Sequence, residues 1–224
     1  MKNEVTQLIL DNFIDEDEDQ RTYIGASSVG HPCLRRLWYA YNGKESNGFS
    51  LKQRLTFSLG HKIEDIVIKK LKESGINVIL CDASLRDEEL ENFKGHIDAL
   101  WIKDDGRPCI LEIKSAKDSI YNSFVKRGLK DWNESYYAQI QSYMGMSKFS
   151  MPKKNLHDHA YIIVFNKNTS EISDEKVMFD LNYYSMLKEK ARMVMNAHAA
   201  PPRIHSNPVY FICRMCQFNK VCHD

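Results

Sequence analysis

Glu112 and Lys114 stand two apart in the run Ile110-Leu111-Glu112-Ile113-Lys114-Ser115-Ala116, and Asp98 lies upstream in Gly95-His96-Ile97-Asp98-Ala99-Leu100. Between the two runs, Asp104-Asp105-Gly106-Arg107-Pro108 has the composition of a turn. Read as a hairpin, the pair places Glu112 and Lys114 on one face of a strand and Asp98 on its neighbour. Two carboxylates and an ammonium then converge at one end. Hard divalent cations such as Mg²⁺ take carboxylate and carbonyl oxygens and keep several waters, and the Ile113 carbonyl offers one more oxygen. A cation there would lower the pKa of bound water and stabilise the charge of a phosphoryl-transfer transition state. Lys114 would position the attacking water or neutralise charge developing on phosphate. Taken alone, Glu-x-Lys is common and reads as a surface ion pair. The apolar flanks Ile110, Leu111, Ile113 and Ala116 mark a buried strand instead, where charged residues are rarely placed without a partner.

Four of the six cysteines form a second constellation. Cys213, Cys216 and Cys222 give C-x2-C-x5-C near the end of the chain, and Cys33 precedes Cys213 by 180 residues (213 − 33). Four thiolates complete either a zinc site or an iron–sulfur cluster. Cys81 and Cys109 fall in predicted strands and read as ordinary core residues. His31, His205 and His223 lie near the cysteines and read as loop residues more readily than as rival ligands.

Asp98 with Glu112-Ile113-Lys114 resembles the signature of the PD-(D/E)XK nuclease superfamily, with Ile97 where that family usually has Pro. Gly60-His61-Lys62-Ile63-Glu64-Asp65 resembles the helix that carries the metal-binding His of its RecB-like branch. Gln139-Ile140-Gln141-Ser142-Tyr143 resembles that branch's Gln-x-x-x-Tyr motif. His61 and Glu64 share a helix face, as do Gln139 and Tyr143. Cys33-Leu34-Arg35-Arg36-Leu37-Trp38-Tyr39 and the one-plus-three split of cysteines resemble the iron–sulfur nucleases of the same branch, among them CRISPR-adaptation and AddB-type nucleases. The resemblance implies a restriction-endonuclease-like α/β fold, a mixed β-sheet flanked by helices, with a cysteine-ligated cluster joining the N- and C-terminal segments. It implies His61, Asp98, Glu112 and the Ile113 carbonyl as ligands of Mn²⁺ or Mg²⁺. Lys114 is then the catalytic lysine, and Gln139 and Tyr143 orient substrate or lysine. Cys33, Cys213, Cys216 and Cys222 are implied as ligands of a [4Fe–4S] cluster, a staple whose binding energy contributes to folding.

The elements that must position these residues are legible in outline. Periodicity predicts a short helix near the N-terminus and helices over 34–41, 59–73, 134–146 and 183–199. Strands are predicted over 77–82, 95–103, 109–115, 161–165 and 176–181. Pro32 suits a first helical position. Residues 1–24 read as a helix and an acidic loop, and residues 25–224 as one nuclease domain. Within that domain, 59–202 form the catalytic core, and 25–58 with 203–224 form the cluster-binding segments.

With 224 residues, 43% of them hydrophobic, the chain can build one sizeable core, which excludes wholesale disorder. Lys plus Arg total 31 against 30 for Asp plus Glu, so any nucleic-acid-binding surface must be local. Lys114, Lys117, Lys126, Arg127 and Lys130 are interleaved with Tyr121, Phe124 and Trp132. That pattern suits either phosphate contacts with base stacking or a solvated segment with core aromatics. No apolar run approaches the ~20 residues of a membrane helix, and no signal peptide is evident. A cytoplasmic setting is expected, where thiols stay reduced. The resemblance implies metal-dependent exonuclease action on single-stranded DNA or DNA ends. Either CRISPR adaptation beside an integrase or phage, plasmid or repair recombination beside a partner protein would accommodate it. The alternative is a non-catalytic, metal-stapled nucleic-acid-binding subunit.

Overall fold

The computed structural model describes residues 4–11 and 22–224, the side chains of 10, 11 and 80–83 excepted. The acidic run at 15–19 and the Cys81 side chain therefore lie outside the described residues. In chain order come α1 (Glu4–Asp11), β1 (Ile24–Gly25), α2 (Ala26–Val29), α3 (Leu34–Tyr41), α4 (Leu51–Glu73), β2 (Val78–Arg86), β3 (Phe93–Ile102) and β4 (Pro108–Ala116). Then follow α5 (Asp118–Trp132), α6 (Glu134–Ser150), β5 (His159–Asn166), β6 (Ile172–Met178), α7 (Leu181–Asn196), α8 (Phe211–Arg214) and α9 (Asn219–His223). Among the described residues no helix is long and apolar enough to cross a membrane.

The strands form one six-stranded mixed sheet in the order β1-β3-β4-β5-β6, with β2 also paired to β3. β4 runs antiparallel to β3 and parallel to β5. The β3–β4 ladder extends from Ile102↔Pro108 only as far as Ala99↔Leu111. Past that point the strands part. β4 stays with β5 through Ala116↔Asn166, while β3 holds β2 on one edge and gains β1 on the other through Ile24↔Phe93 and Gly25↔Lys94. The sheet thus forks at Asp98 and Glu112. The β2–β3 register also shifts between Leu80 and Ala83, opposite Asp98. Bulges of this kind re-aim side chains and are over-represented beside active sites.

Two cores cover the faces. On one, α6 is the central helix, buried continuously from Ala138 to Ser147 and enclosed by α2, α7 and the strands. On the other, Ile63, Val67 and Ile68 of α4 pack with Ala99, Leu111, Ile113 and Ile163. α4 starts at Leu51, eight residues before the predicted 59, because Ser50 and Gln53 form a reciprocal capping box. One sequence expectation needs correcting. Pro32 is outside the helix, whose cap is Cys33. Residues 118–132 are helical, and a kink at Gly128 (φ +74°) divides them. The carboxylate of Glu175 accepts from Leu129 N–H at 2.6 Å and so caps the second piece.

The C-terminal segment folds back on α3. Trp38 Nε1 donates to Ala197 O at 2.8 Å and Arg35 Nε to Pro201 O at 2.5 Å. Phe218, 2% exposed, packs on Tyr39 with ring centroids 5.7 Å apart.

Candidate active site and cysteine cluster

The fork brings Asp98, Glu112 and Lys114 together. Glu112 is 1% exposed. Its Oε1 meets the Lys114 ammonium at 2.5 Å, and otherwise both carboxylate oxygens are buried without a hydrogen bond. Burial pushes the Glu112 carboxyl up from its ordinary range, with Asp98 adding to the push and Lys114 opposing it. Burial works against charge on Lys114, but the Glu112 carboxylate outweighs it and holds the ammonium protonated. Ile113, between them, buries its side chain in the α4 core, while its carbonyl remains on the strand at the fork.

A third carboxylate joins the pair. Glu64, on α4, is pushed up to about 7, first by burial and then by the charges of Asp98 and Glu112. Its signal in the sequence is its position three residues after His61, on the same helix face. His61 itself is exposed on α4. Among the described residues no three His, Cys, Asp or Glu side chains are drawn tightly enough to hold an ion. The donor set nevertheless fits one. The Glu112 oxygens, buried with no partner besides Lys114, and the Glu64 carboxyl, raised first by burial and then by the charges beside it, are groups a divalent cation would satisfy.

Gln139 and Tyr143 lie on α6 on the face toward β3. Gln139 Nε2 donates to Tyr143 Oη at 2.7 Å in the core. A Cβ at Gly95 of β3 would meet the Tyr143 ring at 2.8 Å, so the phenol ring lies directly against the backbone that leads to Asp98. One further residue of this helix reaches the site. The Tyr136 ring has the Lys114 ammonium 5.0 Å from its centroid. Positions 136, 139 and 143 share a helix face, so helical spacing alone places Tyr136 beside the Gln-x-x-x-Tyr pair. Of the basic and aromatic segment, Tyr121 and Phe124 are buried while Lys126, Arg127 and Lys130 are exposed. Those two rings are core, not a base-stacking platform.

Cys33 from one end of the chain and Cys213, Cys216 and Cys222 from the other lie near enough to feel one another's charge, but among the described residues they are not drawn together tightly enough to hold a metal. Cys213 feels the charges of Cys33 and Cys222, and so does Cys216. Burial first, and then these neighbours, push both thiols up. Cys33 caps α3, and Cys216 Sγ accepts from Phe218 N–H at 3.4 Å. Arg35 is engaged with the carbonyls of Ala200 and Pro201, while the charge of Arg36 bears on Cys216. His31 Nδ1 accepts from Cys33 N–H, and burial, helped by Arg36, depresses its pKa to about 4. His205 stacks on Tyr210 and accepts from Asn207 N–H. His223 Nε2 is buried without a partner next in sequence to Cys222. Cys109 is fully buried in β4, its thiol against the His159 carbonyl.

A family model described as the YqaJ-like viral recombinase domain matches residues 19–150, which include α4, the fork and α6. No curated protein sequence matches the chain. Among solved structures, an alkaline exonuclease from Laribacter hongkongensis superposes with a TM-score of 0.57 at 14% identity, over 79% of this chain and 87% of its own. SSO0001 gives a TM-score of 0.56 at 16% identity over 99% of this chain and 98% of its own, so its likeness in fold takes in both cysteine-bearing ends. A phage-related exonuclease from Haemophilus somnus 129PT gives 0.50 at 15% identity, over 72% of this chain and 77% of its own.

Proposed function

The chain belongs to the YqaJ-like viral recombinase domain family, within the PD-(D/E)XK nucleases, and from this premise we propose that it is a divalent-metal-dependent DNA exonuclease acting in phage-type recombination. The observation that carries the reading is the fork itself. A sheet opens at the point where Asp98 and Glu112 face each other, with Lys114 on the same strand and Glu64 arriving from α4. Glu64, Asp98, Glu112 and the Ile113 carbonyl would hold Mn²⁺ or Mg²⁺, with His61 one turn from Glu64. When bound, the cation supplies charge neutralisation and Lewis acidity at phosphate.

The chain's own groups do the rest. Glu112 fixes the Lys114 ammonium at 2.5 Å. From there the ammonium can donate to a non-bridging phosphate oxygen as negative charge grows on it. A water oxygen forms the new bond to phosphorus as the water gives up a proton to solvent, the bond to the leaving deoxyribose oxygen breaks, and that oxygen takes up a proton from solvent. The hydrogen-bonded pair Gln139–Tyr143 braces the floor of the site against Gly95. Single strands and DNA ends are the substrates that the exposed Lys117, Lys126, Arg127 and Lys130 would steer toward the fork. Incubation with linear and circular single-stranded DNA in Mn²⁺ tests the reading. It expects degradation of the linear form alone; nicking of the circle would make the protein an endonuclease.

The cysteines carry a second reading, that of the iron–sulfur branch. What supports it is the C-x2-C-x5-C spacing with Cys33 and the electrostatic contact of Cys213 and Cys216 with Cys33 and Cys222, since four thiolates are the ligand set of such a cluster. Cys33, Cys213, Cys216 and Cys222 would hold a [4Fe–4S] cluster that pins the C-terminal segment to α3. Of the two settings compatible with the sequence, the family favours recombination. Co-purification with an integrase would favour CRISPR adaptation.

A further inference from the structure

An aromatic ladder ends on the lysine of the fork. Phe124 and Trp132 of α5 have ring centroids 5.1 Å apart, Trp132 and Tyr136 are 5.5 Å apart, and the Lys114 ammonium lies 5.0 Å from the Tyr136 centroid. The ladder is anchored at both bends. Phe124 is 2% exposed in the main core. The kink at Gly128, capped by Glu175, turns the end of α5 so that Trp132 lies back over Phe124. Asn133 Oδ1 then caps α6 by accepting from Ser135 and Tyr136 N–H, which fixes where Tyr136 leaves the backbone.

The ammonium is therefore held between two partners of different kinds. Glu112 lies at 2.5 Å, and its carboxylate is one of the groups a bound divalent cation would engage. The Tyr136 ring carries only the negative face of its quadrupole, which a cation in the carboxylate cluster does not displace. We propose that Tyr136 is a positioning residue: its ring holds the Lys114 ammonium over the fork when Glu112 is engaged elsewhere. This rests on the reading of Lys114 as the group that meets the scissile phosphate, and it assigns a role to a residue outside the motifs.

The ring, not the phenol, is the part required, and this makes the inference testable. Steady-state degradation of end-labelled single-stranded DNA in Mn²⁺ would be measured for the wild type, Tyr136→Phe, Tyr136→Leu and Lys114→Ala. Tyr136→Leu is expected to lower kcat about tenfold with KM changed by less than about threefold, the scale of a lost partly buried cation–ring contact. Tyr136→Phe is expected to stay within about threefold in both constants. Equal kcat for Tyr136→Leu and wild type, or an effect confined to KM, would overturn the proposal. An active wild type with a fully active Lys114→Ala would overturn the reading beneath it as well. Thermal unfolding and the proton NMR shift of the Lys114 side chain supply a readout that does not depend on activity. A ring above the ammonium shifts the adjacent methylene upfield in the wild type and Tyr136→Phe. If that shift is absent from the wild type, the ring does not hold the lysine and the proposal fails, whether or not Tyr136→Leu folds.

Discussion

Lys114 Nζ stands 2.5 Å from Glu112 Oε1, two residues back on the same strand, at the point where β4 parts from β3. The ammonium occupies ground that a divalent cation would share. Removing it should therefore separate ion binding from chemistry. Lys114→Ala is expected to bind Mn²⁺ as tightly as the wild type or a few-fold more tightly, while losing at least about a hundredfold in DNA hydrolysis. Calorimetric titration of Mn²⁺ checks the first half; loss of Mn²⁺ binding would mean that the lysine organises the carboxylates instead of competing for them.

Glu64 is raised to about 7 by burial and by its two carboxylate neighbours, and His61 on the same helix is exposed. Glu64→Gln should raise the half-saturating Mn²⁺ concentration of the nuclease reaction about tenfold or more, and His61→Ala by about threefold or less. The reverse order of the two effects would return the imidazole to the centre of the site.

Gly95 has Tyr143 on one side and Ala26 on the other, at 2.8 and 3.0 Å from where a Cβ would stand. Neither neighbour is free to yield, since Tyr143 is held by Gln139 and Ala26 is buried. Gly95→Ala is expected to destabilise the fold by about 1–3 kcal/mol through overpacking, read from urea unfolding. Unchanged stability would show that α6 can move away from β3.

Much of this arrangement was legible in the sequence, and for a physical reason. Asp98, Glu112 and Lys114 sit on strands whose apolar alternation and turn residues declare themselves locally, and the helix over 34–41 was read with its observed bounds. What escaped depends on tertiary contact. The kink of α5 at Gly128 and its cap from Glu175, 46 residues away, are tertiary features that no local pattern announces. The fork cannot be read from a hairpin pattern, because a hairpin predicts continuous pairing where the strands in fact separate. The contact of Tyr136 with Lys114 is not legible in the sequence, because it needs the fold to bring α6 over β4.

The returning chain docks on α3, which begins just after Cys33, through Trp38, Arg35 and Tyr39, and this brings the C-terminal cysteines toward Cys33. Protein purified without oxygen is expected to be brown and to contain iron and acid-labile sulfide. Cys216→Ala should lose both, together with several degrees of melting temperature. Stoichiometric zinc in a colourless protein would replace the cluster with a zinc site.

The central claim is that the carboxylates and lysine at the fork hydrolyse DNA from its ends. The most direct measurement is a time course on end-labelled linear DNA with Mn²⁺, comparing the wild type with Glu112→Ala and Lys114→Ala at matched folded concentration. The account predicts progressive shortening from a terminus by the wild type, none without metal, and none by either variant whose circular dichroism and melting remain native. Degradation by a folded Glu112→Ala at the wild-type rate would contradict it.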